Sequence, residues 1–407
     1  MNDGGREDQR DDDGESEALD LMRLKGGGAI NQARRVLRDQ RESAAAYTSA
    51  LRIAIAQLGK SRLARAGALV VACLALVAIF ADVLASDLPI LCRVHGVVYV
   101  GPNLTHPPAL AGYDCARVAQ ERRPGDWALY PLVRFGPAQT STALLTGPSL
   151  RSAHWLGTDA LGRDVFARTV HGTRTALTVG LIAVFAFAGI GIALGSLAGF
   201  FGGVMDTLVS RLVETLTAFP TIVLVLVIQA ILPKPTMYTL LLALGLTRWT
   251  EVARLVRAEV MRVTGEDYIT AARALGASPS RVLRRHVLPN AMAPALVAAT
   301  FGIASVILIE ASLDFLRVGL PASVPSWGET LSEARDHSEA WWLLVFPGAT
   351  VFATVAALNL VGEALRDALD PRMRDGFHPG DAPEHAHGAR ESALPPSAAA
   401  FDESTRA

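Results

Sequence analysis

The 407-residue chain lacks the sequence patterns of several enzyme classes. It contains no HExxH or CxxC motif, and its 9 histidines and 3 cysteines do not cluster at the spacing of metal ligands. Nothing resembles a nucleophile with a general base on a shared face. The sequence GKS at 59–61 fails as a nucleotide-binding loop, because Ala54 stands where that loop needs a glycine. We therefore expect no catalytic residue, no metal site, no bound cofactor and no ATP hydrolysis by this chain.

Charge is missing from five long runs of a chain that is 51% hydrophobic. These runs are 66–81, 175–205, 215–233, 287–309 and 340–362. A bilayer core needs about 20 apolar residues per helix, so the runs predict membrane spans. The first run reaches that length only by extending past Asp82 to Leu88.

A sixth span is less evident, because 235–247 is apolar for only 13 residues before Arg248. Glu251 follows three residues later, where it would pair with Arg248 on one helix face. The alternative is a re-entrant or interfacial segment. With this segment included, the predicted spans are 63–86, 176–200, 208–232, 236–258, 290–313 and 341–362.

The distribution of basic residues predicts the orientation, since lysine and arginine mark short cytoplasmic loops. Lys60, Arg62 and Arg65 precede the first span, and Arg366 follows the last. The connection between spans four and five carries seven arginines: Arg254, Arg257, Arg262, Arg273, Arg281, Arg284 and Arg285. These signals agree only if 236–258 crosses the membrane. The prediction is six spans with both termini in the cytoplasm.

The segments outside the predicted spans are two tails and a helix before the first span. The first 17 residues are acidic and unlike a cleavable signal peptide, so 1–46 is predicted to be a cytoplasmic tail. Residues 47–62 have the periodicity of an amphipathic helix lying on the membrane, with a soluble helix as the alternative. The core is 173–366, and 367–407 is a second cytoplasmic tail.

The long connection 87–172 is predicted to lie outside the cytoplasm. It contains Cys92 and Cys115, whereas Cys73 lies in the first span. An oxidising compartment would permit a disulfide between Cys92 and Cys115, and two free thiols are the alternative.

Residues 265–290, GEDYITAARALGASPSRVLRRHVLPN, interrupt the apolar runs. Thr264 and Asp267 are spaced as a capping box, and Gly276 stands where a left-handed residue would end the helix. Ser278 can cap a second helix, which Pro289 would end. The predicted apolar stripe of the first helix is Tyr268, Ala271, Ala272 and Leu275.

This helix–turn–helix has three possible uses. Tethering between two spans disfavours DNA binding, and a solvated loop without a partner is the second possibility. The small residues and arginines favour the third, docking to a soluble cytoplasmic partner.

The stretch TAARALGASPSRVLRRHVLPN resembles the EAA loop of ATP-binding cassette (ABC) importer permeases. The positions that match at full spacing are Ala271, Ala272, Gly276, Leu288 and Pro289. Thr270 replaces the usual glutamate, and His286 stands at an apolar position, as is common in the peptide branch. The stretches LGTDALGRDVFAR, AGFFGGVMD, AFP, ARLVRAE, PSWGETL and NLVGEALRDALDP resemble the C-type membrane subunit of dipeptide and oligopeptide importers. The resemblance covers roughly 62–374.

This resemblance implies an all-α membrane protein with six transmembrane helices and a cytoplasmic EAA coupling helix at 264–290, the type I ABC importer permease fold. The implied coupling residues are Tyr268, Thr270, Ala271, Ala272, Gly276, Arg281, Arg284, His286, Leu288 and Pro289. The implied partners are a second homologous permease, two ATPases that use ATP and Mg, an extracytoplasmic binding protein and membrane lipid, with no nucleic acid.

The implied location is the inner membrane, and the implied cargo is di- or oligopeptides. Nickel, glycosides and peptide export are alternatives within the class. A non-transporting membrane scaffold or sensor is the alternative of another class.

Several residues within the predicted spans carry further hypotheses. Gly191, Gly195 and Gly199 recur every four residues and predict a packing face. Pro220 predicts a bend in the third span, where Arg211 and Glu214 are spaced to pair.

The fifth span ends in EASLDFLRVG where the family usually has EASLSFLGLG. Asp314 and Arg317 thus replace a serine and a glycine, and Glu310 precedes Asp314 by one turn. An Asp314–Arg317 ion pair is one interpretation. The other is an altered outer gate formed by Glu310, Asp314 and Arg317.

Overall fold

The computed structural model describes residues 61–149, 153–232 and 236–369. The predicted tails and nearly all of the predicted interfacial helix lie outside these residues. The chain divides into two units, Met1–Ala368 and Leu369–Ala407, and all elements below belong to the first apart from Leu369.

The first helix, α1, runs from Arg62 to Ile79, and the Ser61 hydroxyl caps it by accepting from the Ala64 N–H at 3.3 Å. A break at Phe80 separates it from the short α2, Ala81–Leu84. The predicted span 63–86 therefore covers α1 and this extra turn.

The long connection 87–172, which we call the insertion, contains a small antiparallel sheet that adds strands to an otherwise helical chain. Its strands are β1 (Leu91–Val94), β2 (Val97–Val100) and β3 (Trp127–Leu129), in the order β2-β1-β3. Helices α3 (Pro102–Thr105) and α4 (Cys115–Gln120) lie between β2 and β3 in the chain. The insertion has a hydrophobic core of its own, separate from the core between the long helices. It consists of Leu88, Cys92, Val94, Leu110 and Val118.

The disulfide considered between Cys92 and Cys115 is not formed in the structure, where both are buried free thiols. Cys115 Sγ instead contacts the Ser86 carbonyl oxygen at 3.7 Å. Burial raises the pKa of the Cys115 thiol to about 12, so it is fully protonated at neutral pH.

Helix α5 is the longest element and spans 37 residues, Val165–Phe201. Its N-cap, Asp164, accepts from the Ala167 N–H at 2.8 Å. The helix starts well before the predicted span 176–200, because its first turns are polar and find partners elsewhere. Arg174, for example, pairs with Asp82 at 2.7 Å, and His171 Nε2 lies 2.9 Å from the Ala85 carbonyl oxygen.

The third predicted span, 208–232, bends at Pro220 as predicted, and the bend is sharp enough to divide the span into two helices. Helices α6 (Gly203–Thr217) and α7 (Thr221–Ile231) meet at an angle of 86°. Pro220 is the N-cap of α7, where it lacks the N–H that would continue α6. Arg211 and Glu214 pair at 2.9 Å as predicted.

Helix α8 runs from Met237 to Thr264 and packs along α5. Cβ atoms built on Gly191 and Gly195 would lie 2.7 Å from the Trp249 carbonyl oxygen and 2.5 Å from that of Ala253. Only glycine permits such close approach of two backbones. The predicted packing face is therefore confirmed.

The chain then turns through short elements: α9 (Asp267–Ala274), α10 (Pro279–Val282), a π-helical turn (Leu283–Val287) and α11 (Leu288–Asn290). Three helices complete the chain: α12 (Ala293–Phe315), α13 (Trp327–Asp336) and α14 (Trp342–Leu369). Helix α12 is 23 residues long, so its ends lie about 35 Å apart. We call the end at Ala293 the elbow end and the end at Phe315 the insertion end.

Within the described residues, four helices are long and apolar enough to cross a membrane: α1, α5, α12 and α14. The bent pair α6–α7 brings the number to five if it counts as one span. Helix α8 is long enough but carries Arg248, Glu251 and Arg254 in its middle turns. The six predicted spans thus have counterparts as helices, while length and composition support at most five.

Candidate functional site

The elbow, residues 265–290, is held to the bundle by its apolar side chains. Ile269, Val282 and Val287 are fully buried and belong to the same core as Val256 and Val260 of α8. These anchors fix both halves of the elbow, so its orientation follows from the packing of the bundle.

The turn of the elbow has the predicted backbone. Gly276 has φ +80°, a left-handed conformation that costs glycine nothing, and Pro279 opens α10 after Ser278. The Gly276 N–H donates to the Arg273 carbonyl at 3.0 Å and the Ala277 N–H to that of Ala272 at 3.1 Å. Main-chain hydrogen bonds therefore close the first helix.

Four details of the predicted elbow are wrong, and one is the side-chain cap of the second helix: Ser278 is the N-cap residue of α10, but its hydroxyl makes no capping hydrogen bond. Thr264 belongs to α8, and its hydroxyl donates to the Val260 carbonyl instead of capping α9, whose N-cap is Glu266. Leu275 is 76% exposed and is not part of the buried stripe, whose centre is Ile269.

Pro289 does not end the second helical segment, which continues to Asn290. The preceding π-turn carries a longer main-chain hydrogen bond, from the Leu288 N–H to the Leu283 carbonyl. Such a turn changes the pairing pattern just before the proline, which has no N–H to donate.

The predicted coupling residues divide into an inner and an outer set. Ala272 is buried, and the partly buried members are Tyr268, Ala271, His286, Leu288 and Pro289. The exposed members are Thr270, Gly276, Arg281 and Arg284. Asn290 joins the two halves, because its amide donates to Tyr268 Oη at 3.2 Å and to the His286 carbonyl at 2.7 Å.

The outer face of the elbow is basic and unneutralised. Arg281, Arg284 and Arg285 are exposed, and none of them forms an ion pair with another described residue. Burial and, to a smaller degree, Arg285 lower the pKa of His286, so its ring is neutral at physiological pH. Leu275 of the same elbow is also exposed, so the exposed surface of the elbow offers both cationic and apolar groups.

The three residues of the predicted gate have different surroundings. Glu310 and Asp314 are 1% and 3% exposed, and they lie against α13. A Cβ built on Gly328 of α13 would lie 2.7 Å from Asp314 Cβ. These carboxyl groups are therefore buried within the subunit.

The predicted Asp314–Arg317 ion pair is wrong. Arg317 pairs with Asp336 at the end of α13, and Asp314 Oδ1 accepts from the Leu320 N–H at 2.5 Å. Arg317 also has φ +59°, in the left-handed region, at the position after the C-cap Leu316 of α12, where helices commonly end on a left-handed residue. A glycine would adopt this conformation without strain.

A buried ion network at the insertion end was missed by the sequence analysis. Arg163 contacts Asp159 at 2.6 Å and Glu329 at 3.2 Å, and it also pairs with Glu333. Arg168 pairs with Glu329 and donates to the Pro137 carbonyl at 3.1 Å. The network joins the loop before α5 to helix α13.

The sequence contained a partial signal for this network. Its members lie in or next to two stretches already quoted for their resemblance, LGTDALGRDVFAR and PSWGETL. These stretches are more than 150 residues apart, as the 166 residues between Arg163 and Glu329 show, so only the fold reveals that they meet. Burial raises the pKa of Glu333, as does Asp159, while Arg163 opposes the shift.

The fold and the elbow define a class of protein: an integral membrane protein with a helical bundle and an elbow with an exposed basic face. Residues 191–375 match the family described as binding-protein-dependent transport system inner membrane component.

Two related proteins match a longer part of the chain than residues 191–375. The dipeptide transport system permease protein DppC of Alkalihalophilus pseudofirmus is 40% identical over 247 residues, which are 59% of this chain and 81% of that one. The oligopeptide transport system permease protein OppC of Bacillus subtilis is 39% identical over 222 residues, 54% of this chain and 72% of that one. The chain therefore belongs to the family of binding-protein-dependent transport system inner membrane components.

Among solved structures, one of the MetNI methionine ABC transporter in inward-facing conformations is similar at a TM-score of 0.43 and 20% identity. That match covers 50% of this chain and 96% of the other.

Proposed function

We propose that this chain is one membrane-spanning subunit of an ATP-driven importer that translocates di- or oligopeptides delivered by an extracytoplasmic binding protein. The observation that carries the proposal is the identity of about 40% to peptide permeases over most of their length. The elbow supports the proposal. Its inner face is packed against the helical bundle, and its outer face carries exposed arginines that form no ion pair with a described residue. These two faces suit transmission of force from a soluble partner.

The energy comes from separate subunits in this proposal. The sequence has no nucleotide-binding loop, so two ATPases bind ATP and Mg and dock on the elbow of this chain and of a second, homologous permease. Nucleotide must bind the two transport states with different affinity, since equal affinity shifts no equilibrium. A rigid elbow transmits this difference to α8 and α12, which flank it in the chain.

The proposed orientation places the elbow and both termini in the cytoplasm and the insertion outside the inner membrane. The seven arginines between Thr250 and Asn290 support it, since they are concentrated in one short connection. A binding protein would then approach from the side of the insertion.

Site-specific photo-crosslinking in native membranes tests the docking. Photoreactive amino acids replace Leu275 and Arg281, which are exposed on the elbow; Ala272 is unsuitable because it is buried. The matched control is Glu339, an exposed position at the insertion end. We expect an ATPase subunit to be captured from both elbow positions and not from Glu339. Absence of an ATPase from both elbow positions contradicts the proposal.

Transport by the copurified complex in proteoliposomes tests the cargo and direction. We expect uptake of labelled di- or oligopeptides that requires the binding protein on one side and ATP on the other. Uptake of nickel or glycosides without peptides would replace the cargo, and movement of peptides away from the binding-protein side would reverse the direction. A complex without any ATP-dependent transport would favour a scaffold or sensor.

A further inference from the structure

The sheet of the insertion has an outer face that is largely apolar. Side chains on this face form two rows across the strands: Val100, Leu91 and Leu129 in the first row, and Val98, Arg93 and Trp127 in the second. The other face, which contains Cys92, covers the core of the insertion. Val100 is 77% exposed and Leu129 is 56% exposed, although the solvent side of an antiparallel sheet is normally polar. An exposed apolar face of this kind marks a contact surface.

The first row lies at the end of the sheet that is close to helix α2. Asn103 of α3, which follows β2, donates from its amide to the Asp82 carbonyl oxygen of α2 at 2.8 Å. Leu132, which follows β3, donates from its N–H to the Val83 carbonyl oxygen of α2 at 3.4 Å, and its side chain is exposed. These hydrogen bonds fix the sheet beside the end of the first apolar helix.

The exposed side of α1 leads to the same end of the sheet. Leu69 and Leu76 are exposed on the side of α1 opposite to Gly67, which packs against α14. Helix α1 is apolar enough to cross a membrane, so this side presents its side chains to lipid acyl chains. Val83 is also exposed, and its carbonyl binds Leu132. The lipid-facing surface of α1 is thus continuous, through Leu132, with the outer face of the sheet.

The other end of the sheet carries cations. Arg93, Arg122 and Arg123 are exposed, and none of them forms an ion pair with another described residue. Arg122 donates to the Asp126 carbonyl oxygen at 3.2 Å, while the Asp126 carboxylate accepts from the His95 N–H in the turn between β1 and β2, also at 3.2 Å. Arg122 and Arg123 therefore lie beside this turn, at the end of the sheet that points away from α2.

Polarity thus changes in one direction across the face. Aliphatic side chains lie near α2, Trp127 and Arg93 follow, and Arg122 and Arg123 lie at the far end. A membrane surface has the same order, because acyl chains are followed by the interface that tryptophan prefers and by the phosphates that attract arginine. An interface between proteins has an apolar core with a polar rim around it instead. The observed order therefore favours lipid.

We propose that the outer face of this sheet binds phospholipids of the membrane next to α1. Val100 and Leu129 contact acyl chains, and the three arginines contact headgroup phosphates. The insertion is then held on the membrane surface instead of projecting from it. This proposal concerns the insertion and does not depend on the cargo.

Site-specific photo-crosslinking followed by mass spectrometry tests the contact. Photoreactive amino acids replace Val100 and Leu129 in the full-length protein, which is studied in native membranes and, with its copurifying subunits, in phospholipid nanodiscs. Leu76 on α1 is the positive control, and exposed Gln120 on α4, which packs on the opposite face of the sheet, is the negative control. We expect phospholipid adducts at both test positions and at Leu76, and none at Gln120. Cross-links to a protein subunit, or no lipid adduct at either test position, would overturn the proposal.

The choice of lipid tests the role of the arginines. In nanodiscs with equal amounts of phosphatidylcholine and phosphatidylglycerol, the adducts at Leu129 should be enriched in the anionic lipid about twofold or more. Joint replacement of Arg93, Arg122 and Arg123 by glutamine should abolish this enrichment. Equal capture of the two lipids by the protein with all three arginines would contradict phosphate binding by these residues.

Tryptophan fluorescence supplies an independent measurement, because bromine atoms on acyl chains quench a tryptophan that they touch. The fluorescence lost on Trp127→Phe isolates the signal of Trp127, which lies at the interface level of the proposed contact. In nanodiscs of brominated phospholipid, we expect this difference to be about half, or less, of that in unbrominated phospholipid. An equal difference in both lipids would contradict the proposal. Neither measurement requires transport, so failure of the peptide-importer proposal would leave these tests intact.

Discussion

The arginines of the elbow and those at the insertion end have different surroundings. Arg281, Arg284 and Arg285 are exposed and form no ion pair with a described residue, whereas Arg163 and Arg168 are buried among Asp159, Glu329 and Glu333. Each buried guanidinium is bound by at least one carboxylate.

This difference separates two roles of the same residue type. A buried arginine must be paired, because removing its carboxylate or its charge leaves an uncompensated ion inside the protein. An exposed arginine contributes little to folding and is available to a partner. The arginines at the insertion end thus serve internal stability, whereas the elbow arginines have the exposure that the proposed docking requires.

The largest expected effect on stability is at the buried network. Arg168→Ala leaves Glu329 without its closest partner, and we expect a loss of about 3–5 kcal/mol in unfolding free energy. Thermal unfolding of the purified protein in detergent measures it, with Arg335→Ala at an exposed position as the control. If both variants unfold at the same temperature, the network does not have the structural role assigned to it.

The second-largest effect on stability is expected where α5 and α8 pack closely against each other. Gly195→Ala would bring a methyl group within 2.5 Å of the Ala253 carbonyl oxygen, and such overpacking costs about 1–3 kcal/mol. Gly189→Ala is the matched control on the same helix, since its added methyl group meets no atom within 4 Å. The control should be neutral or slightly stabilised, as alanine is the better helix former. Equal unfolding temperatures for the two variants would argue against the close backbone contact.

Arg317 allows a smaller test at the insertion end. Arg317→Gly removes the strain of a left-handed residue, about 1–2 kcal/mol, and also removes the exposed ion pair with Asp336. We expect a net increase in unfolding temperature and unchanged peptide uptake. Loss of uptake in a well-folded Arg317→Gly protein would contradict this expectation and support the gating role for this residue.

The same ion pair predicts a pH dependence. Arg317 lowers the pKa of the Asp336 carboxyl, so its stabilising contribution is present at neutral pH and is lost as acid protonates Asp336. Arg317→Gly should therefore show a weaker fall in unfolding temperature towards acidic pH than the wild type. A parallel fall in both proteins would show that the pair contributes nothing to stability.

The smallest effect on stability is expected at the elbow, together with a large effect on function. Replacing Arg281, Arg284 and Arg285 by alanine one at a time should change the unfolding free energy by less than about 0.5 kcal/mol each. ATP-driven uptake by the triple variant should fall about tenfold or more, which corresponds to 1.4 kcal/mol of lost docking energy. Undiminished uptake would show that these three exposed arginines do not form a docking surface.

The sequence predicted the parts of the molecule in which local chemistry is sufficient. The uncharged runs predicted the positions of the apolar helices α1, α5, α12 and α14. The four-residue spacing of the glycines predicted the face of α5 that packs against α8. Gly276 and Pro279 predicted the turn of the elbow, because each has a backbone preference that does not depend on distant residues.

The errors have a common cause. The bend at Pro220 was predicted, but its size of 86° and the early start of α5 were not, because hydropathy does not reveal the angle between two helices or polar turns satisfied by distant partners. The Asp314–Arg317 pair had suitable spacing on one helix, but Asp336, 19 residues from Arg317, competed for the guanidinium.

The amino-acid sequence alone determined the class of this protein, the positions of its apolar helices and the backbone of its elbow, since these follow from periodicity, charge and local conformation. The tertiary structure decided which charged groups are buried, which are paired and which stay exposed without an ion pair among the described residues. That division depends on contacts between segments such as 153–168 and 326–336, whose meeting is a property of the folded chain and not of either segment.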